Sequence, residues 1–87
     1  MMFKLEFYKQ AAKYYKKVDT KVQKRINKAI EEIIKDPSEG IHIKKLKGRL
    51  EGKYRYDIDR LRIIYYIDED NEIIYVEAIG PRGDVYR

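Results

Sequence analysis

The chain has no cysteine and no tryptophan, and only one histidine and two prolines in 87 residues. Without cysteine there are no disulfides, no thiolate metal ligands and no thiol nucleophile. The single histidine, His42, leaves no imidazole cluster for a metal and no Ser-His-Asp arrangement. A lone histidine in a connector is more often a surface residue than a general acid or base. Carboxylates at a recognisable ligand spacing are also missing, as is a Gly-rich phosphate loop. No apolar run approaches the roughly 20 residues of a membrane-spanning helix. The N-terminus, MMFKLEFYKQ, lacks the charged start and long apolar stretch of a signal peptide. The expectation is a cytoplasmic protein with no metal, no small-molecule cofactor and no membrane association. At this length it forms one domain, 1–87, with one modest core and no room for a deep substrate cavity.

What the chain has in quantity is positive charge and tyrosine. The formal net charge is +5, and it is unevenly spread: residues 1–56 carry +9 and residues 57–87 carry −4. A basic surface on a small domain attracts polyanions, RNA or DNA foremost. Nine tyrosines are present. Tyrosine can stack on bases, but most are expected in the core with the hydroxyl reaching water.

Patterning predicts an α+β fold in the order β-α-α-β-β-β. FKLEF (Phe3–Phe7) alternates apolar and charged residues and reads as a half-buried strand. Ala11, Ala12, Tyr15 and Val18 then mark one face of a short helix. Asp19 is placed to cap a second helix, whose apolar stripe is Val22, Ile26, Ala29, Ile30 and Ile33. That helix should end near Asp36, because Pro37 disfavours helical conformation in the residue before it. Pro37–Gly52 reads as a basic connector. Lys53–Ile58, Leu61–Ile67 and Glu72–Ile79 follow as strands, with a turn at Asp68–Asn71. The helical hairpin should pack on one face of a twisted antiparallel sheet.

Strand alternation then sorts side chains by face. With the first turn centred on Ile58–Asp59, Arg55 falls opposite Arg62, and Tyr54, Tyr56, Ile63, Tyr65 and Ile67 face the helices. If Ile67 pairs with Glu72, Arg62 faces Glu77. The open face then carries Arg55, Arg62 and Glu77 in a row, near Ile64, Tyr66 and Tyr75. Gly80 and Pro81 should stop the last strand and bring Arg82 and Tyr86 back over that face. Arginine and tyrosine together suit metal-free RNA cleavage. RNA supplies its own nucleophile, the 2′-hydroxyl. The guanidinium fork matches phosphate oxygens and stays charged, and tyrosine can stack or move a proton.

The runs KLKG, YRYDI and RLRIIYYI, followed by AIGPRGDVY, resemble the RelE/ParE superfamily of toxins from toxin–antitoxin pairs. The likeness covers nearly the whole chain. It implies a toxin that enters the ribosomal A site and cuts mRNA through the 2′-hydroxyl without a metal. By that resemblance Arg62, Arg82, Tyr86 and Arg55 are the catalytic candidates. Lys44, Lys45, Lys47, Arg49 and Lys53 are the RNA-binding candidates. The implied partners are an acidic RelB-like antitoxin, the ribosome and mRNA. One position departs: Asp57 stands where RelE relatives carry a second basic residue, and it would repel phosphate unless it acts as the base or pairs with Arg55. The general base is left among Asp57, Glu77 and Tyr86. Two other readings share the fold: a ParE-like DNA gyrase inhibitor, and an inactive toxin fold that only binds.

Overall fold

The computed structural model describes residues 3–85. Strand β1 (Lys4–Phe7) leads into helices α1 (Lys9–Lys17) and α2 (Thr20–Lys35). Strand β2 (Ile43–Lys45), a single 3-10 turn (Gly48–Leu50), and strands β3 (Lys53–Ile58), β4 (Leu61–Asp68) and β5 (Ile73–Pro81) complete it. The fold is α+β, with two helices on one face of a five-stranded sheet ordered β1-β5-β4-β3-β2. Among the described residues no helix is long and apolar enough to cross a membrane.

The helices begin and end where their chemistry requires. The Asp19 carboxylate accepts the Val22 amide at 2.9 Å and so satisfies one of the unpaired donors of the first turn; such a cap contributes about 1 kcal/mol. Helix α2 stops at Lys35, with Asp36 out of helical conformation ahead of Pro37. Ile26, Ala29 and Ile33 form its buried stripe, and Ala11 is the buried residue of α1. They close over Tyr56, Ile63, Tyr65, Ile74, Val76 and Ile79 from the sheet. Each fully buried isoleucine contributes roughly 1.5–3 kcal/mol.

Two core tyrosines do not reach water. Tyr56 donates its hydroxyl to Glu32 on α2, and Tyr65 donates to the Pro37 carbonyl at 2.6 Å. Burial pushes both hydroxyls well above the ordinary tyrosine range, and for Tyr56 the Glu32 carboxylate adds to it. They are therefore neutral donors that tie the sheet to α2 and its C-terminal end.

The sheet departs from the expected one in three respects. It has a fifth strand, because Ile43–Lys45 in the basic connector pairs antiparallel with β3. Three residues carry too little alternation to be read as a strand. It is also mixed and not wholly antiparallel, since β1 runs parallel to β5 with Lys4 beside Ile73 and Phe7 beside Val76. Alternation in β1 fixes its faces, whereas direction is free where no hairpin joins two strands.

The third departure is register. The first turn centres on Asp59–Arg60, with Ile58 paired to Leu61. Asp59 takes a left-handed conformation at φ 53°, which aspartate tolerates better than most residues. Arg62 therefore pairs with Asp57, and Arg55 with Ile64, so Arg55 and Arg62 are not opposite each other. The slip is of two residues, so every side chain keeps its expected face. In the second hairpin Ile67 pairs with Ile74, not Glu72. Pairing then shifts, with Tyr65 against Val76 but Ile64 against Ala78. Glu77 is the extra residue of a β-bulge, and Arg62 faces Gly80 instead. The bulge resets the alternation, so that Val76 and Ile79 both reach the core while Glu77 stays on the open face.

Candidate active site

The open face of the sheet gathers three of the four predicted catalytic residues around one carboxylate. Arg62 and Asp57 are direct cross-strand partners on β4 and β3. The Arg62 Nε donates to Asp57 Oδ1 at 2.7 Å, and Nη2 donates to Oδ2 at 3.1 Å, a two-pronged contact. Arg55, two residues along β3, places its Nε 3.3 Å from Asp57 Oδ2. Arg82, just past β5, places its Nε 3.9 Å from the same oxygen.

Burial grades outward across this cluster. The Arg62 side chain is 7% exposed, Arg55 28% and Arg82 53%. A guanidinium cannot shed its proton to escape a dry site, so a buried one needs a counter-charge. Asp57 supplies it. The sequence reading allowed Asp57 a partner in Arg55; its tightest partner is Arg62. One carboxylate among three guanidiniums leaves two positive charges in excess. The arrangement is a cluster of three guanidiniums whose charge is met in part by the protein's own carboxylate.

The C-terminal turn is built onto this cluster. Strand β5 continues past the expected Ile79 through Gly80 and ends at Pro81. The chain turns afterwards, with the amides of Asp84 and Val85 bonded to the Pro81 carbonyl at 3.0 and 3.2 Å. The Arg82 amide bonds to the Arg60 carbonyl at 2.8 Å, and its Nη1 donates to the Asp59 carbonyl at 3.3 Å. Arg62 Nη1 donates to the Val85 carbonyl at 3.0 Å. A β-carbon on Gly80 would lie 2.7 Å from Val85 Cγ2, so glycine is what lets the turn sit against the strand beside Arg62. Tyr86, the fourth catalytic candidate, lies outside the described residues, as does Arg87.

The five RNA-binding candidates separate. Lys44 pairs with Arg55 and shares the open face, whereas its neighbour Lys45 pairs with Tyr54 and lies on the other. Lys47 and Arg49 are exposed at the 3-10 turn. Lys53 is engaged by Glu77, with its Nζ 2.9 Å from the carboxylate. Glu77, a candidate base, is thus held by a lysine at the bulge. His42 packs its ring 5.4 Å from that of Tyr56, a core residue, and so takes no part in the arginine cluster. The sequence signal for Asp57 as the hub was the Arg-x-Asp on β3 and the Arg62 beyond the turn; a register two residues off hid it.

Comparison with known proteins places this chain in a family. A family model described as ParE-like toxin of type II bacterial toxin–antitoxin system matches residues 5–87. Toxin YoeB of Streptomyces coelicolor is 38% identical over 61 residues, which span 69% of this chain and 73% of that one. The YoeB dimer of Staphylococcus aureus is 30% identical at a TM-score of 0.74, over 90% of this chain and 94% of that one. The archaeal RelE–RelB complex of Pyrococcus horikoshii contains a chain matched at TM-score 0.76 and 21% identity, over 98% of this chain and all of that one.

Proposed function

The chain belongs to the ParE-like toxins of type II bacterial toxin–antitoxin systems, and we propose that it acts as a ribosome-dependent endoribonuclease that cuts mRNA in the A site. What carries this reading is the convergence of Arg55, Arg62 and Arg82 on one anion position of the open sheet face. A phosphodiester brought there exchanges with Asp57 among the guanidiniums. The 2′-hydroxyl attacks the adjacent phosphorus, forming the 2′-O–P bond as the P–O5′ bond breaks. The products are a 2′,3′-cyclic phosphate and a 5′-hydroxyl, whose oxygen takes a proton from water as it leaves. Arg62, held at Nη1 by the Val85 carbonyl, stabilises the added charge on the phosphoryl oxygens, and the planar fork suits them. Arg55 and the more exposed Arg82 add to that field. Asp57, released from the guanidiniums but still beside them, takes the 2′-hydroxyl proton. Glu77 is tied to Lys53 and is not assigned this step. The ribosome's part is to hold the codon in line for attack.

The partners follow from the same charge. A cationic open face fits an acidic antitoxin that covers the arginines, and the helices' lysines fit ribosomal RNA.

The test is primer extension on mRNA incubated with purified protein and programmed ribosomes. Cuts inside the A-site codon are expected, absent without ribosomes, and abolished by a single 2′-deoxy substitution at the cleaved nucleotide. Intact mRNA together with blocked DNA supercoiling would overturn the reading in favour of gyrase inhibition; inertness in both assays would leave a binding module.

The packing of Val85 on Gly80 yields a second expectation. In Gly80→Ala the new methyl meets Val85 and pushes the C-terminal turn off Arg62. A displacement near 1 Å costs up to about 10²-fold in rate, with the core untouched. Cleavage should fall by that order in a protein whose thermal melt stays close to wild type.

A further inference from the structure

A second constellation lies on the same face, away from the arginines. Tyr66 on β4 and Tyr75 on β5 are direct cross-strand partners with stacked rings, 5.2 Å apart and 25° from parallel. Tyr8, at the junction of β1 and α1, stands edge-on to both, at 6.2 Å and 86° to Tyr66 and 6.4 Å and 68° to Tyr75. Its amide is bonded to the Val76 carbonyl at 2.8 Å, and its hydroxyl meets that of Tyr66 at 2.7 Å. The hydrogen bond to Tyr8 pushes the Tyr66 hydroxyl up to about 12, so it keeps its proton at neutral pH. These rings are held by backbone and hydroxyl contacts, yet Tyr8 remains 39% exposed.

A cleft of about 330 Å³ opens beside them, lined by Tyr8, Glu51, Gly52, Lys53, Tyr66 and Glu77. That is the small end of the ligand-pocket range. Its walls are of two kinds. Tyr8 and Tyr66 are aromatic. Lys53 and Glu77, bonded to each other, offer a cationic donor and a carboxylate acceptor, and Glu77 is 93% buried where the bulge aims it. Flat π-surface next to paired donors and acceptors suits a nucleobase, which has a π-face and a polar edge. Tyr66 is four residues along β4 from Arg62 and on the same face, a distance of ~13 Å. Lys44 and Arg55 flank the interval on the open face, and both suit a phosphate backbone.

We propose that the Tyr8–Tyr66–Tyr75 cluster and its cleft are a nucleobase subsite, which takes a base of single-stranded RNA from a nucleotide near the one that is cut. The inference rests on RNA being the substrate at the arginine cluster. It assigns the tyrosines to positioning: a base held here sets which phosphate reaches Arg62.

Binding alone tests it, without ribosomes or cleavage. The chain has no tryptophan, so tyrosine emission reports stacking directly. The probes are a short oligouridylate carrying a 2′-O-methyl backbone and an abasic oligomer of the same length and charge. The base-containing oligomer should bind on the order of tenfold more tightly and quench tyrosine emission. In Tyr66→Leu, and independently in Tyr8→Leu, that preference should vanish, while the affinity for the abasic oligomer is unchanged. A preference that survives both substitutions would overturn the proposal. Equal binding of the two oligomers by the wild type would also overturn it and leave the cleft to a protein partner. Neither result depends on A-site cleavage, so failure here and failure of the nuclease reading are separate outcomes.

Discussion

Arg62→Ala should lower A-site cleavage by about 10²–10³-fold, the loss typical of removing one donor to a developing oxyanion. The reason is geometric as well as electrostatic. Arg62 sets two nitrogens on Asp57 and a third on the Val85 carbonyl. Its position is thereby fixed before substrate arrives. Arg62→Lys keeps the charge but loses the fork, and a lysine cannot satisfy the Asp57 carboxylate and the Val85 carbonyl in the same planar geometry. It should fall between the alanine variant and wild type. Both are read by primer extension with programmed ribosomes, and thermal melts of the same preparations establish that the fold is retained. Cleavage unchanged in a folded Arg62→Ala protein would remove the arginine cluster from the chemistry.

Asp57→Asn should separate binding from catalysis. The substitution removes the negative charge that occupies the anion site, so the three arginines no longer have an internal carboxylate to satisfy. Affinity for single-stranded RNA should rise on the order of tenfold at low salt, and the gain should shrink as salt screens it. The same change removes the proposed proton acceptor, and cleavage should fall by about 10²–10⁴-fold. Stability falls as well. The Arg62 guanidinium stays buried, and its counter-charge becomes a neutral amide, at a cost of roughly 2 kcal/mol, or about 10 °C in Tm for a domain of this size. Tighter binding with slower cutting is the signature of a carboxylate that both fills the site and works in it. Tighter binding with undiminished cleavage would restrict Asp57 to holding the arginines and move the proton step elsewhere.

The two variants test one physical statement from opposite sides. A buried cation and a less buried anion hold each other in place, and the proposed cleavage requires that grip to be exchanged for a phosphate.

Local rules determined a large part of this protein from its sequence. The 3.6-residue stripe of Ile26, Ala29 and Ile33, the Asp19 cap and the stop before Pro37 depend on neighbours within a few residues, and all are present. The face of each strand residue depends on the two-residue period alone, which is why Arg55 and Arg62 were assigned to one face correctly. Tertiary structure decided which residues on that face meet. Pairing follows from turn geometry, and the left-handed conformation of Asp59 moved the first turn by one residue and the pairing by two. That shift replaced an Arg55–Arg62 pair by an Arg62–Asp57 pair and set Asp57 at the centre of the arginine cluster. The bulge at Glu77, the parallel β1–β5 edge and the short strand β2 arise in the same way. Each is settled by which arrangement buries the apolar residues of all the strands at once, a condition on the assembled sheet that no single segment contains.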